Sequence, residues 1–493
     1  DLRGIPGLEY EGTDAKRRAI DSRIAREARP GEELTLSIDE RLQYIAEEQI
    51  ADTVKAHDAA SGSIIAIDPN TGEILALASY PTYDPNLPPG AGEPPTARQD
   101  HAVSVPFEPG SVFKVITLSA ALETTNLRPE SPINCHGGVL QLPGRTIHDS
   151  HLGRGIIPMA DVLAYSSNVG AIEVGLRVGQ RNMYDYVRRF GFGQRTGIPL
   201  PAESPGRFRK LENWGTTSLA SVAFGQEISV TTLQLAQAVT AVANGGLLMQ
   251  PRLILKKGGQ NVPPRPPVRI LKPETTITMR EMMEGVVTYG TGKKAKLDGY
   301  TTGGKTGSAQ IYDYAAHAYT HTYNGSFVGF APVMNPRIVV VVTVNGTHGS
   351  AGFGGEAAAP AFKVVASEAL RLMDVPKDMP DDKPKFLMAK DTPADAPPTD
   401  TAARTFNPLD DETEDAGPAA PASAAYSLAA PAPVSAGPLV PNFRGMTLRA
   451  VMEEAAAQGL NIMPAGSGVA AVQDPPAGSP LRQGESIRVA FAR

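Results

Sequence analysis

The apolar positions of the chain change their spacing several times, and each change marks an element. LTLSIDERLQYIAEEQI opens as a short strand at Leu34 to Ile38 and runs into a helix with Leu42, Ile45, Ala46 and Ile50 on one face. SGSIIAIDPNTGEILALASY reads as two strands joined by the turn Asp68-Pro69-Asn70-Thr71-Gly72. Helical repeats broken by Gly and Pro loops then occupy about 111 to 290. Strand patterns return at 301–311, 323–331 and 337–345, the last two flanking the hairpin-type connection PVMNP. A final helix over Ala357 to Met373 sets Phe362, Val365 and Leu370 on one side. Strands at both ends of a helical middle predict an α+β domain, an antiparallel sheet with a helical cluster, over residues 36–375.

The two ends read differently. Residues 1–35, with RGIPGLEYEG and DAKRRAIDSRIARE, hold too few apolar side chains for a core and are expected to be the remnant of an N-terminal module. Residues 376–438 are dominated by Pro, Ala, Asp and Thr and read as a disordered linker, because so few bulky groups cannot offset its ordering entropy. A random coil of that length spans on the order of 45 Å. Residues 439–493 read as a small αβ module. Its helix, Thr447 to Gln458, has Leu448, Val451, Met452 and Ala455 on one face and Gly459 at its end, and short strands follow as far as SIRVAFA.

Composition narrows the function classes. A chain of 493 residues predicts one large core with smaller satellites. Its 46 basic and 52 acidic residues give a net charge of -6, with no basic run interleaved with aromatics, so nucleic acid is not an expected partner. Cys135 is the single cysteine, which rules out an intrachain disulfide and a Cys-rich zinc site. The longest aliphatic run, Ile338 to Val342, falls far short of the ~18 apolar residues of a membrane helix. The chain begins at Asp1, and a signal or membrane anchor is expected to precede it.

Three stretches carry candidate chemistry. In FEPGSVFKVITLSAALE, Pro109 and Gly110 put Ser111 at or near a helix start, where free N–H groups and the positive dipole end favour developing negative charge. Lys114 follows one turn on, and its neighbours at three and four residues, Gly110, Ser111, Thr117 and Leu118, include no carboxylate. Such a lysine is expected to be desolvated and able to act as a base toward Ser111. Taken alone, the pair reads as an N-cap serine and a snorkelling lysine. Ser166-Ser167-Asn168, between the helical patterns Met159 to Ala164 and Val169 to Leu176, can present a hydroxyl and an amide to a cleft, and taken alone reads as a helix-capping turn.

In GGKTGSAQ, read as a strand, Lys305 suits the anionic end of a substrate and Thr306 adds a hydroxyl. Gly307 leaves room for a ligand backbone at a sheet edge, and Ser308 follows. The letters GYTTGGKT from Gly299 also match the nucleotide-binding pattern G-x-x-x-x-G-K-[ST]. No apolar strand precedes them and no helical repeat follows, while RIVVVVTVN ends in Asn345 rather than a magnesium-binding aspartate, so the context opposes a P-loop.

SxxK, SxN and KTG stand in that order, 55 residues apart (111 to 166) and 139 residues apart (166 to 305). This is the motif set of penicillin-binding proteins and class A β-lactamases. The chain resembles the class B penicillin-binding proteins, monofunctional peptidoglycan D,D-transpeptidases, and most of all their division (septal) branch. The likeness runs over roughly 1 to 372 and extends to PGEELTLSIDERLQYIAEE, IDPNTGEILALASYPTYDPN, YSSNVGA, FGFGQRTGIPLP, AFGQEISVTTLQLAQAVTAVANGG and FGGEAAAPAFK. VPNFRGMTLRAVMEEAAAQGLNI and GSGVAAVQDPPAGSPLRQGESIRVAFA resemble a single PASTA module.

The resemblance implies the penicillin-binding-protein/β-lactamase-like fold, a five-stranded antiparallel sheet with a helical subdomain, and a pedestal or dimerisation role for the module that residues 1–35 end. It implies that Ser111 attacks, Lys114 takes the proton, Ser166 relays a proton and Asn168 holds the substrate amide. Lys305, Thr306 and Ser308 would bind the terminal carboxylate, and the N–H groups of Ser111 and Ser308 would form the oxyanion hole. No cofactor or metal is implied. The implied partners are peptidoglycan stem peptides, β-lactams, a SEDS-type glycosyltransferase and divisome proteins, met outside the cytoplasm by a membrane-anchored chain.

Rival readings use the same letters. Glu203, in LPAESPG, stands 37 residues after Ser166, about where a deacylating glutamate would make a β-lactamase, but the residues after it do not match that motif. A β-lactam sensor would share all three motifs. His148-Asp149-Ser150-His151 offers possible metal ligands, yet on a Gly-rich loop these read as surface polar residues. The PASTA-like module reads either as a peptidoglycan binder or as an interaction knob.

Overall fold

Ile338 to Val342 is apolar at every position because the strand that carries it is covered on both faces. The computed structural model describes residues 2–379 except 91, 94–97, 151 and 314–317, and, further on, 440–447, 450–451, 454–455, 458, 460–466, 469–479 and 486–492. Its central sheet has five strands: β1 (Ser61–Ile67), β2 (Ile74–Tyr80), β3 (Gly303–Asp313), β4 (Ala318–Ala331) and β5 (Ile338–His348). Their spatial order is β3-β4-β5-β1-β2, and every neighbouring pair is antiparallel. Along β1 and β5, side chains alternate between two cores: Ile65, Ile67, Val339 and Val341 face one, while Ile64, Ala66, Val340 and Val342 face the other.

Helices α1 (Glu40–Ala56) and α7 (Gly354–Leu372) cover the second face, with Leu42, Ala46, Ile50, Phe362, Val365 and Leu370 buried against it. Asp39 caps α1 by accepting from the backbone N–H groups of Arg41 and Leu42, both at 3.0 Å. The first face carries the helical cluster: α2 (Lys114–Thr124), α3 (Met159–Ala164), α4 (Asn168–Val178), α5 (Thr232–Ala243) and α6 (Pro273–Thr288). Helix α2 is buried at every position from Lys114 to Ala121, so it is the axis of the cluster rather than an amphipathic surface helix.

Several expectations change in detail. The middle of the chain is not helical throughout. It contains short strand pairs, such as Val139–Leu142 with Arg145–His148 and Pro132–Asn134 with Ile156–Pro158, each too short to leave a period-2 signal. The first strand ends at Leu36 and pairs with Ile254–Lys257. Near the N-terminus, Leu8–Thr13 and Ala19–Arg26 form an antiparallel hairpin. The P-loop alternative fails, because Lys305 and Thr306 lie inside the continuous strand β3 and open no helix. No described helix is long and apolar enough to cross a membrane.

Residues 1–388 and 389–493 are separate compact units. In the second, Asn461–Gly466 pairs parallel with Ser486–Ala492, and Val469–Asp474 pairs antiparallel with the same strand. Its core holds Val440, Phe443, Val451, Ala455, Leu460, Ala470, Ile487 and Val489. Leu448, Met452 and Gly459 of the predicted helix, and residues 380–438 of the predicted linker, lie outside the described residues.

Candidate active site

The turn before α2 is built by backbone contacts that exclude side chains. Gly110 has φ +55°, and a Cβ there would lie 2.9 Å from the Cβ of Ala309 on β3. Its N–H donates to the carbonyl of Gly225 at 3.0 Å, and Phe107 and Val230 exchange backbone bonds of 2.9 and 2.8 Å. The nucleophile turn is thus wedged between β3 and the 225–230 segment. Residues Gly110–Phe113 form a single 3-10 turn that feeds directly into α2.

Ser111 does not cap that helix, and Lys114 does not snorkel. The Lys114 side chain is fully buried, and its Nζ lies 2.9 Å from Ser111 Oγ, 2.6 Å from the carbonyl oxygen of Ser166, 3.1 Å from Ser166 Oγ and 2.9 Å from Asn168 Oδ1. The Ser166 carbonyl and Asn168 Oδ1 can only accept. In the neutral amine they take both N–H groups, and the lone pair is left for a hydroxyl. Burial pushes Lys114 down to about 7, against the opposing pull of Asp149 and Cys135. The amine is therefore available as a base near neutral pH.

Ser166 has φ +61°, a left-handed conformation that non-glycine residues seldom adopt. The twist sets its hydroxyl between two lysines, 3.1 Å from Lys114 Nζ and 2.9 Å from Lys305 Nζ. The capping-turn reading of this stretch is right for one residue only: Ser167 caps α4 by accepting from Gly170 N–H at 2.8 Å. Asn168 opens α4, and its Nδ2 donates to the His148 carbonyl at 3.0 Å.

Lys305 is also fully buried and donates to Ser166 Oγ and, at 2.8 Å, to the Thr306 carbonyl. Burial, and then the charge of Lys114, hold it well below the usual lysine range. Thr306 Oγ1 pairs with Thr291 Oγ1 at 2.7 Å, and Ser308 Oγ accepts from Gly354 N–H at 3.0 Å. Gly307 differs from expectation. A Cβ there would lie 2.3 Å from Ser326 Oγ, 3.0 Å from Val112 Cγ1 and 3.1 Å from the Pro109 carbonyl, so its missing side chain admits the protein's own nucleophile turn rather than a ligand.

A cleft of about 900 Å³ opens over these groups, lined by Ser111, Ser166, Asn168, Thr291, Thr306 and Ser308 among others. Ser111, Lys114, Ser166, Asn168 and Lys305 form one connected hydrogen-bonded cluster, and Thr306 and Ser308 stand beside it.

The surface reading of the 148–151 loop holds for His148 and Ser150, which are exposed, and is corrected for Asp149. Asp149 is buried, and its carboxylate accepts from Asn168 N–H at 2.6 Å, Val169 N–H at 3.0 Å and Ser167 hydroxyl at 2.6 Å. It anchors the first turn of α4, where a negative charge is favoured. His151 lies outside the described residues. Sequence reasoning missed Asp149 because a lone acid in a polar loop has no periodic signature, and it missed Thr291 because that residue lies outside the three motifs, before β3 begins at Gly303. Glu203 accepts from the N–H groups of Thr196 and Gly197 and pins a local turn, so it is not one of the groups that meet Ser111.

The sheet, its helical flank and the cleft serine beside a buried lysine define a class, the serine acyltransferase folds. The chain belongs to the penicillin binding protein transpeptidase family. The model of the penicillin binding protein transpeptidase domain matches residues 62–367, and that of the PASTA domain matches 438–493. The chain is 34% identical over 403 residues to penicillin-binding protein PbpB of Mycolicibacterium smegmatis, covering 78% of this chain and 60% of that one. It is 33% identical to the probable peptidoglycan D,D-transpeptidase PenA of Neisseria flavescens, covering 77% of this chain and 93% of that one.

Among solved structures, the transpeptidase domain of Burkholderia pseudomallei penicillin-binding protein 3 is similar at TM-score 0.62 and 33% identity, over 70% of this chain and 98% of that one. Penicillin-binding protein 3 of Mycobacterium tuberculosis, complexed with ampicillin, is similar at TM-score 0.67 and 31% identity, over 76% of this chain and 88% of that one. The chain spans 60%, 66% and 58% of the lengths of PbpB from M. smegmatis, PbpC from Pseudomonas aeruginosa and the stage V sporulation protein D of Bacillus subtilis.

Proposed function

We propose that the chain is a peptidoglycan D,D-transpeptidase of septal cell-wall synthesis and that β-lactams acylate it at Ser111. The observation that carries the reading is the buried Lys114 amine, held 2.9 Å from Ser111 Oγ by two pure acceptors and paired with no carboxylate among the described residues. Ser111 Oγ attacks the carbonyl of the penultimate D-Ala while Lys114 takes its proton. The C–N bond to the terminal D-Ala then breaks, and Ser166 relays a proton to the leaving amine. Asn168 holds the substrate amide, and Lys305, Thr306 and Ser308 provide for the terminal carboxylate. The backbone N–H groups of Ser111 and Ser308 serve as the oxyanion hole, typically ~10²- to 10³-fold in rate per donor. An amine from a neighbouring stem peptide resolves the acyl-enzyme.

The domain plan that goes with this reading is a truncated pedestal over 1–35, a transpeptidase domain over 36–375, a linker over 376–438 and a PASTA module over 439–493. The chain works outside the cytoplasm behind an N-terminal anchor, beside a SEDS-type glycosyltransferase and other divisome proteins. The names of its relatives support the peptidoglycan assignment. A penicillin acylation time course on wild type and Ser111→Ala tests it. The expected result is stoichiometric, long-lived labelling that Ser111→Ala abolishes. Release within seconds would indicate a β-lactamase, and stable labelling without stem-peptide cross-linking, membrane partners included, would indicate a sensor.

A further inference from the structure

The cleft is unevenly charged. The two lysines at its floor are sealed, and among the described residues that line it Glu356 is the one Asp, Glu, Lys, Arg or His. Glu356 lies in the first turn of α7, and that turn is locked onto β3. Gly354 N–H donates to Ser308 Oγ at 3.0 Å, and a Cβ on Gly354 would lie 2.2 Å from the Gly307 carbonyl oxygen. A Cβ on Gly355 would lie 2.7 Å from the Thr291 carbonyl oxygen and 3.5 Å from Thr306 Cγ2. Glu356 therefore stands at the end of the cleft marked by Thr291, Thr306 and Ser308. Its carboxylate pairs with Lys294 Nζ, but the two side chains are 50% and 54% exposed, so the pair is weak and open to exchange.

The chemistry gives that end a second occupant. Once the D-Ala amine has left, the acceptor amine must enter along the same path, because the reverse reaction would expel it there. The peptide behind that amine then runs out past Thr306 and Thr291 toward Glu356. At neutral pH a peptide amine arrives as an ammonium. We infer that Glu356 recognises the acceptor, drawing an ammonium-bearing peptide to the acyl-enzyme, with Lys294 as its partner until the acceptor displaces it.

This inference rests on the transpeptidase reading. The ammonium gives one proton to solvent, and its nitrogen attacks the acyl carbon. The C–N bond forms, the C–Oγ bond breaks and the amine's second proton returns through Lys114 to Ser111 Oγ. Glu356 acts before those steps by raising the local acceptor concentration, so its effect falls on the half-saturating acceptor concentration rather than on the maximal rate.

The test uses the full chain with a thiolester donor and measures aminolysis against hydrolysis for two acceptors. One is Nα-acetyl-D-lysinamide, an ammonium at neutral pH, and the other is hydroxylamine, which is uncharged there. Glu356→Gln is expected to raise the half-saturating concentration of the ammonium acceptor about two- to fivefold, and Lys294→Met to lower it by a similar factor, while hydroxylamine responds far less. The contrast should collapse at 1 M salt, where the Debye length is about 3 Å. Wild-type protein that takes no acceptor would overturn the transpeptidase reading, and this inference with it. Wild-type aminolysis with both acceptors shifted equally, or with neither variant shifting the ammonium acceptor, would overturn the role of Glu356 alone.

Discussion

Lys114 is where burial becomes reactivity. A lysine enclosed by acceptors and apolar packing loses its proton near pH 7 instead of in its ordinary range, and only the neutral form can accept the Ser111 proton. The sign follows directly. The base is present above about pH 7 and is lost below it, so penicillin acylation should fall about tenfold per unit on the acid side. Two titratable groups oppose the effect of burial on this amine: Asp149 and then Cys135 favour its protonated form. Asp149→Asn removes the negative charge but can keep the contacts at the start of α4, so the acid limb should move to lower pH. A stopped-flow pH profile of both proteins checks it, and coincident limbs would show that the Asp149 charge does not reach Lys114.

At the scale of elements, the site is a junction of four pieces of chain held by close backbone approach. The nucleophile turn meets β3 through Gly110 and Gly307, the 225–230 segment through Gly225, and the 166–168 turn through Lys114. Gly225 is the most constrained of these positions. It has φ +85°, and a Cβ there would lie 2.1 Å from the Gly110 carbonyl oxygen. Gly225→Ala therefore has to displace the nucleophile turn. The expected outcome is a loss of at least about 1 kcal/mol of stability, from strain of the kind that costs ~1–3 kcal/mol per residue, with acylation slowed tenfold or more. Thermal unfolding and an acylation assay measure the two effects separately. A variant with wild-type acylation would mean that the turn has slack that these contacts do not suggest.

Across the whole molecule, each of the two compact units encloses its own core. Residues 1–388 expressed alone should therefore be acylated by penicillin at the full-length rate, and a slower fragment would show that the second unit acts on the site. Local patterns were enough to predict the sheet, the helical cluster and the final helix, because alternation, helical repeats and turn chemistry are encoded within a few residues. Ser111, Lys114, Ser166, Asn168 and Lys305 stood out only through the order of the three motifs and the family resemblance, since each motif alone reads as a cap, a turn or a surface lysine. What spacing could not supply is the meeting of Lys114 and Lys305, 52 and 139 positions away from Ser166, around its one hydroxyl. Nor could it show that Asp149 turns inward, that Gly307 accommodates the protein's own turn, or that Glu356 stands at one end of the cleft. Those facts belong to the tertiary structure, because burial, contact and net local charge are properties of the segments that the fold brings together.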